Sequence, residues 1–293
     1  MTIATGVGSM PGAEQRDFDE AVRLVLGEVP DLPHLPEVPG RGVSAGMIGR
    51  GLAVLAGLGA DLQPAGWRLT DASGVDHRRA RSLLAQDLDG LEEQAQDLES
   101  AFKIQVAGPW TLAATVEKPR GDKLLSDHGA RRELAQALAE GVRGHVRDVR
   151  RRLPGVGRLV VQVDEPGLAA VLAGRVPTAS GFGRHRVVHP PEAAESLGWV
   201  LAAIAEEGAE PWVHTCSVDP PLALLRTAGA RGLSVDLGQM SAADHDVLAE
   251  ALDAGESVVL GVVATVELLS ALDGGAVAER VLRWLDQVGL DPA

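Results

Sequence analysis

Short apolar segments that stop at Gly, Pro or an acid alternate with longer segments of helical spacing along this 293-residue chain. That alternation limits the fold more than any other feature. The strand-like segments are residues 3–8, 34–38, 102–106, 158–163, 211–213, 232–235 and 257–263. Helical spacing runs through 18–26, 43–58, 76–101, 130–152, 191–206, 220–228, 242–252 and 276–288. Strands apolar throughout and separated by helices imply a parallel sheet covered on both faces. Seven such units in one run predict a single α/β domain over residues 1–293, a (β/α)8 TIM barrel lacking its eighth βα unit. The lack of a GxGxxG after the first strand argues against a dinucleotide-binding sheet.

Composition narrows the partners. With 41 acidic against 27 basic side chains the formal charge is −14, which disfavours nucleic acid and anionic membranes. One Cys excludes an internal disulfide and fits a reducing cytosol, and no signal-type segment opens the chain, so a cytoplasmic enzyme is expected. No stretch is apolar for the ~18 residues that a membrane helix needs.

In such a barrel the reactive groups sit where strands end. The strand ends carry Gly8-Ser9, Glu37, Gly108-Pro109, Asp164-Glu165, His214 with Cys216, and Asp236. His214 and Cys216 stand two apart, so on a strand their side chains face one spot. With Asp236 they make an N, S and O donor set that zinc accepts, with one position open for substrate. Glu37 and Asp164 could pair with an ammonium group, and Ser9 with the Gly8 turn amides could receive a carboxylate. Zinc would hold a substrate thiol as thiolate near neutral pH. An amino-acid site beside a thiol-activating metal points to homocysteine. Each residue also has a plainer role: turns at Gly8 and Gly108, a loop acid at Glu37, helix caps at Asp164 and Asp236, and a small buried hydrophobe at Cys216.

Over nearly its whole length the chain resembles the C-terminal catalytic barrel of cobalamin-independent methionine synthase. Gly8-Ser9-Met10-Pro11, Gly108-Pro109-Trp110-Thr111, Val163-Asp164-Glu165-Pro166 and His214-Thr215-Cys216 are similar, in order, to that family's motifs. The resemblance implies that Gly8 and Ser9 hold the homocysteine carboxylate, that Glu37 and Asp164 hold its amine, and that His214, Cys216 and Asp236 bind zinc and carry catalysis. Asp236 stands where the family has Glu. Thr115 stands at the family's folate-stacking Trp; Trp110 lies nearby on another register and is the candidate aromatic on the substrate side. Ala264-Thr265-Val266 replaces the family's Asp-x-His proton donor, and the chain ends before the family's fourth ligand, a Cys. The expected function is zinc-dependent transfer of a methyl group to homocysteine in methionine biosynthesis. The donor is of methyltetrahydrofolate or methylcobalamin type.

Two alternatives stand beside it: a non-catalytic relic of the same barrel that binds an amino acid, and a cofactor-free decarboxylase resembling uroporphyrinogen decarboxylase. His34, His77, His128, His145 and His245 have no partner at ligand spacing, so structural roles are expected for them. Residues 175–189 read as a loop over the barrel mouth, and Arg41 is placed to pair with Glu37.

Overall fold

The computed structural model describes residues 2–263 and 274–290. In chain order its elements are α1 (Gln15–Glu28), α2 (Met47–Val54), β1 (Gly59–Gln63), β2 (Gly66–Thr70), α3 (Val75–Gln94), β3 (Phe102–Ala107), α4 (Pro109–Thr115) and α5 (His128–Arg152). There follow β4 (Leu159–Asp164), α6 (Leu168–Leu172), α7 (Pro190–Glu206), β5 (Glu210–Thr215), α8 (Leu222–Thr227), β6 (Gly232–Asp236), α9 (Ala242–Asp253), β7 (Ser257–Gly261) and α10 (Gly274–Gln287).

β3 to β7 form a five-stranded parallel sheet in sequential order. Two N-terminal segments continue it past β3 by single bridges, His34 to Lys103 and Ser9 to Glu37. The backbone bonds Leu35 N to Lys103 O (2.9 Å) and Glu37 N to Gly8 O (2.9 Å) fix them there. The first two predicted strands are therefore reduced to single bridges, at Ser9 for the first and at His34 and Glu37 for the second, where Pro33 and Pro36 cannot donate to a ladder. Among the described residues the sheet does not close into a barrel. The expected barrel is thus supported only as an α/β sheet with sequential parallel strands.

Alternation along the strands separates two environments. Phe102, Ile104, Val106, Val161, Val163, Val213, Leu233 and Val235 point to the helices and join the large core. The opposite face has a small apolar cluster of Leu32, Val160 and Trp212. Beyond it the side chains turn polar: Lys103, Gln105, Gln162, Asp164, His214 and Ser234 are all buried.

Two expected helices are corrected. Residues 43–58 hold only α2 (Met47–Val54), and the next stretch is the antiparallel hairpin β1–β2. Gly59 starts that hairpin, for which no expectation came from the sequence, and Trp67 and Leu69 bury its inner side at period two. The long helix stops at Gln94, where the Ala95 amide closes on Leu91 O, short of residue 101. The short helices α4 and α6, which follow β3 and β4, were not expected.

Candidate functional site

The site grows from the ends of adjacent strands. Asp164 is the register partner of His214, and His214 of Ser234, so three neighbouring strands place these side chains side by side. At the β3 edge Ser9 stands beside Glu37. Gly8 has φ +146°, and a Cβ there would lie 2.8 Å from Gln105 Nε2, so the turn into Ser9 needs glycine.

Glu165, next to Asp164, is a brace. Its Oε1 accepts from the Trp110 amide (2.8 Å), and its Oε2 from the Thr111 amide (2.8 Å) and hydroxyl (2.7 Å). The Thr111 hydroxyl in turn accepts from the Gly167 amide (3.2 Å). A Cβ on Gly108 would fall 2.4 Å from the Glu165 carboxyl carbon, which explains that glycine by close approach. The Gly-Pro-Trp-Thr and Asp-Glu-Pro motifs are thus two halves of one joint between strand ends. Burial pushes the Glu165 carboxyl up to about 7, while the donors around it pull the other way.

Glu37 is not a free acid. Its Oε1 lies 3.4 Å from Arg50 Nε, and both side chains are buried. Arg50 also bonds Asp87 (2.8 Å), which holds Arg41 with both oxygens (2.7 and 2.8 Å). The expected Arg41–Glu37 pair is therefore corrected. Arg41 reaches across to α3, and Arg50 on α2, unnoticed in the sequence, takes Glu37. Arg41 also lies over the Phe18 ring, 4.7 Å from its centre.

Asp164 is 4% exposed and accepts from Gln162 Nε2 (2.7 Å). Burial first and the Glu37 charge second push its carboxyl well above the usual carboxylate range, and Lys103 opposes them. Burial lowers the Lys103 ammonium, which Asp164 and Glu37 hold up. Glu37 is thus already matched by Arg50, and Asp164 is held by the Gln162 amide.

His214 is 9% exposed, and its Nδ1 is paired with the Ser234 hydroxyl at 3.0 Å. Pinning one ring nitrogen leaves Nε2 for a metal or substrate, the usual arrangement around a ligating histidine. Burial, with Lys103 second, lowers its pKa to about 4, so the ring is neutral near pH 7. Cys216 is exposed just past β5, and burial, Asp236 and Asp164 raise its thiol pKa. Asp236 sits on β6, where its Oδ1 caps the Gly238 amide (2.9 Å). Among the described residues no three His, Cys, Asp or Glu side chains stand together as a metal cage. The donor chemistry at His214 and Cys216 suits a soft metal, while Asp236 spends one carboxylate oxygen on the Gly238 amide.

Trp110 is corrected outright. It is 1% exposed and its Nε1 donates to Ala193 O at 3.0 Å, so it is a core residue and offers no face to a ligand. The loop at 175–189 is pinned, with Pro177 bridged to Arg184 and the Ala179 amide bonded to Asp122 (2.8 Å). Ala264, Thr265 and Val266 lie outside the described residues.

The chain is similar in fold to a methionine synthase. One similar solved structure is a B12-independent methionine synthase from Shewanella sp. W3-18-1, in complex with selenomethionine. The TM-score is 0.58 and the identity 15%, over 98% of this chain and 88% of that one. At that identity the likeness is one of fold. No protein-family model matches the chain, and no curated protein matches it. Among the described residues no helix is long and apolar enough to cross a membrane.

His34, expected to be structural, lies next to the site. It is 4% exposed, sits beside Lys103 on the polar face, and neither ring nitrogen has a partner among the described residues. Burial, then Lys103, pushes its pKa down to about 3. The unfolded chain takes up that proton near pH 6.5. The neutral ring's contribution is therefore complete above pH 6.5 and falls away as pH drops toward 3. Between pH 7 and 5 this single group accounts for about 2 kcal/mol. In His34→Leu the loss of unfolding free energy between those two pH values should shrink by about that amount. Denaturant titrations at both values measure it, and an unchanged loss refutes the assignment.

Proposed function

We propose that this chain is a methyltransferase that moves a methyl group to the thiol of homocysteine, giving methionine, on an incompletely closed (β/α) barrel. The observation that carries the reading is the register of the strand ends. Asp164 beside His214, with Cys216 two residues on, sets a buried acid next to two soft donors, and Ser9 beside Glu37 borders the same rim.

The substrate's carboxylate would sit on the Gly8–Ser9 turn and its ammonium against Asp164. A cation arriving beside Asp164 favours the ionised carboxyl, so binding would drive a proton off that pocket. Glu37 would act from behind, through Arg50. His214, neutral with Ser234 on Nδ1, and Cys216 would hold zinc through Nε2 and Sγ, with Asp236 as the third donor. Bound zinc would supply a Lewis acid that keeps the substrate thiol deprotonated. In the transfer, sulfur's electron pair forms the S–CH3 bond. The bond from methyl to its donor breaks toward the donor, and the thiol proton goes to solvent. A methylcobalamin-type donor needs no acid for its leaving group; a methyltetrahydrofolate donor needs one at nitrogen.

The test is metal analysis of protein purified without chelator, together with methyl transfer to homocysteine from both donor types. Wild type should carry zinc. Cys216→Ser should lose most of it and at least about 100-fold in transfer rate, since a thiolate ligand is harder to replace than the outer-shell groups that cost 10–100-fold. Zinc-free wild type whose transfer is untouched by Cys216→Ser defeats the proposal. The engagement of Asp236 with Gly238 favours a second reading, a non-catalytic binder of sulfur amino acids. Its signature is calorimetric binding of methionine or homocysteine with no turnover on either donor.

A further inference from the structure

One pair of buried side chains joins the two parts of the proposed head-group site. Lys103 Nζ donates to the Val7 carbonyl (3.1 Å) and to Gln162 Oε1 (3.0 Å). Gln162 Nε2 donates to the same carbonyl (3.0 Å) and to Asp164 Oδ1 (2.7 Å). Lys103 is 0% and Gln162 1% exposed. These bonds orient the Gln162 amide, because a flip would set its nitrogen against an ammonium and its oxygen against two acceptors. Val7 immediately precedes Gly8, so both donors grip the root of the Ser9 turn, and Gln162 also holds the acid across from it. A buried ammonium costs several kcal/mol, where an apolar side chain of the same length would pack without that cost. The interior therefore retains charge at the one point where the N-terminal segment meets β3 and β4.

We propose that Lys103 and Gln162 are positioning residues that set the separation between the Gly8–Ser9 turn and the Asp164 carboxylate. They thereby make the site selective for α-amino acids, whose carboxylate and ammonium share one carbon, over acids that lack the ammonium. The inference rests on the reading of Gly8, Ser9 and Asp164 as the head-group site. Gln162 occupies Asp164 Oδ1, which leaves Oδ2 for the ligand.

Two readouts test it on the full chain. The first needs no ligand. The Met10 amide bonds Glu37 O (2.7 Å) and the Glu37 amide bonds Gly8 O (2.9 Å), so their hydrogen exchange reports whether the turn is held in place. Gln162→Met, neutral and of similar length, and Lys103→Met should each speed exchange at both amides by at least about tenfold with the remaining core still protected. The second readout is calorimetry with L-methionine and with 4-(methylthio)butanoate, which lacks the amine. Gln162→Met should weaken methionine by at least about tenfold more than it weakens the amine-free acid, which loses only the hold on the turn. Unchanged exchange in both variants overturns the positioning role. Equal weakening of both ligands overturns the selectivity. Wild type that binds neither ligand sinks the amino-acid reading and the selectivity with it, while the exchange result still decides whether the pair holds the turn.

Discussion

Replacing Asp87 by alanine should lower the free energy of unfolding by about 3–5 kcal/mol, because it strands two buried guanidinium groups at once. Asp87 has 0% side-chain exposure and the Arg41 and Arg50 side chains 5% each. Its two oxygens take both Arg41 nitrogens and one from Arg50. The charge cannot be shed by deprotonating an arginine. Arg50 would be left with Glu37 at 3.4 Å, and Arg41 with the Phe18 ring and partly exposed contacts. Asp87→Asn keeps one acceptor and should cost less. Denaturant unfolding measures both, and a loss under about 1 kcal/mol for Asp87→Ala would mean that water already reaches the pair.

Glu165→Ala should be comparably damaging, at about 3–5 kcal/mol, for a different reason. It leaves the Trp110 and Thr111 amides and the Thr111 hydroxyl buried without an acceptor, each costing about 1–3 kcal/mol. It also opens space against Gly108, where no side chain is present to fill it. Glu165→Gln retains one acceptor oxygen and should lose roughly half as much. If the alanine variant melts like wild type and α4 keeps its amide protection, the brace between the two motifs is wrong. Because Glu165 acts on α4 and Asp164 faces the site, the two substitutions should separate. Glu165→Ala costs stability, and Asp164→Asn costs ligand binding with the fold kept.

Much of the frame was legible because it depends on local pattern. β4 is legible as an apolar run that stops at Asp164, and the structure refines it: Val161 and Val163 face the helices while Gln162 and Asp164 face away. The same holds for β3, where Phe102, Ile104 and Val106 alternate with Lys103 and Gln105. The helix expected over 43–58 shrinks to Met47–Val54, and residues 59–70 carried no expectation, because glycine and small residues give weak periodicity. What makes 59–70 a hairpin is the pairing of Gly59 with Thr70 and Leu62 with Trp67, which no single segment encodes.

The site divides in the same way. The identities at the strand ends, Gly8, Ser9, Glu37, Asp164, His214, Cys216 and Asp236, follow from where apolar runs stop. Their states do not. Arg50 lies thirteen positions past Glu37 on helix α2, Asp87 is fifty past it on α3, and only packing sets the three in a row. Trp110 looked available beside a glycine–proline turn, yet α7 covers it and accepts its indole proton.

Local pattern is enough to read a run of strands and helices, and which residue types stand where the strands end, because both depend on neighbours within a few positions. The tertiary structure decided which of those groups are already paired, which are braces and which stay open to a ligand. Charge and hydrogen-bond partners are shared across elements far apart in the chain, and burial fixes the strength of each contact only once those elements have packed.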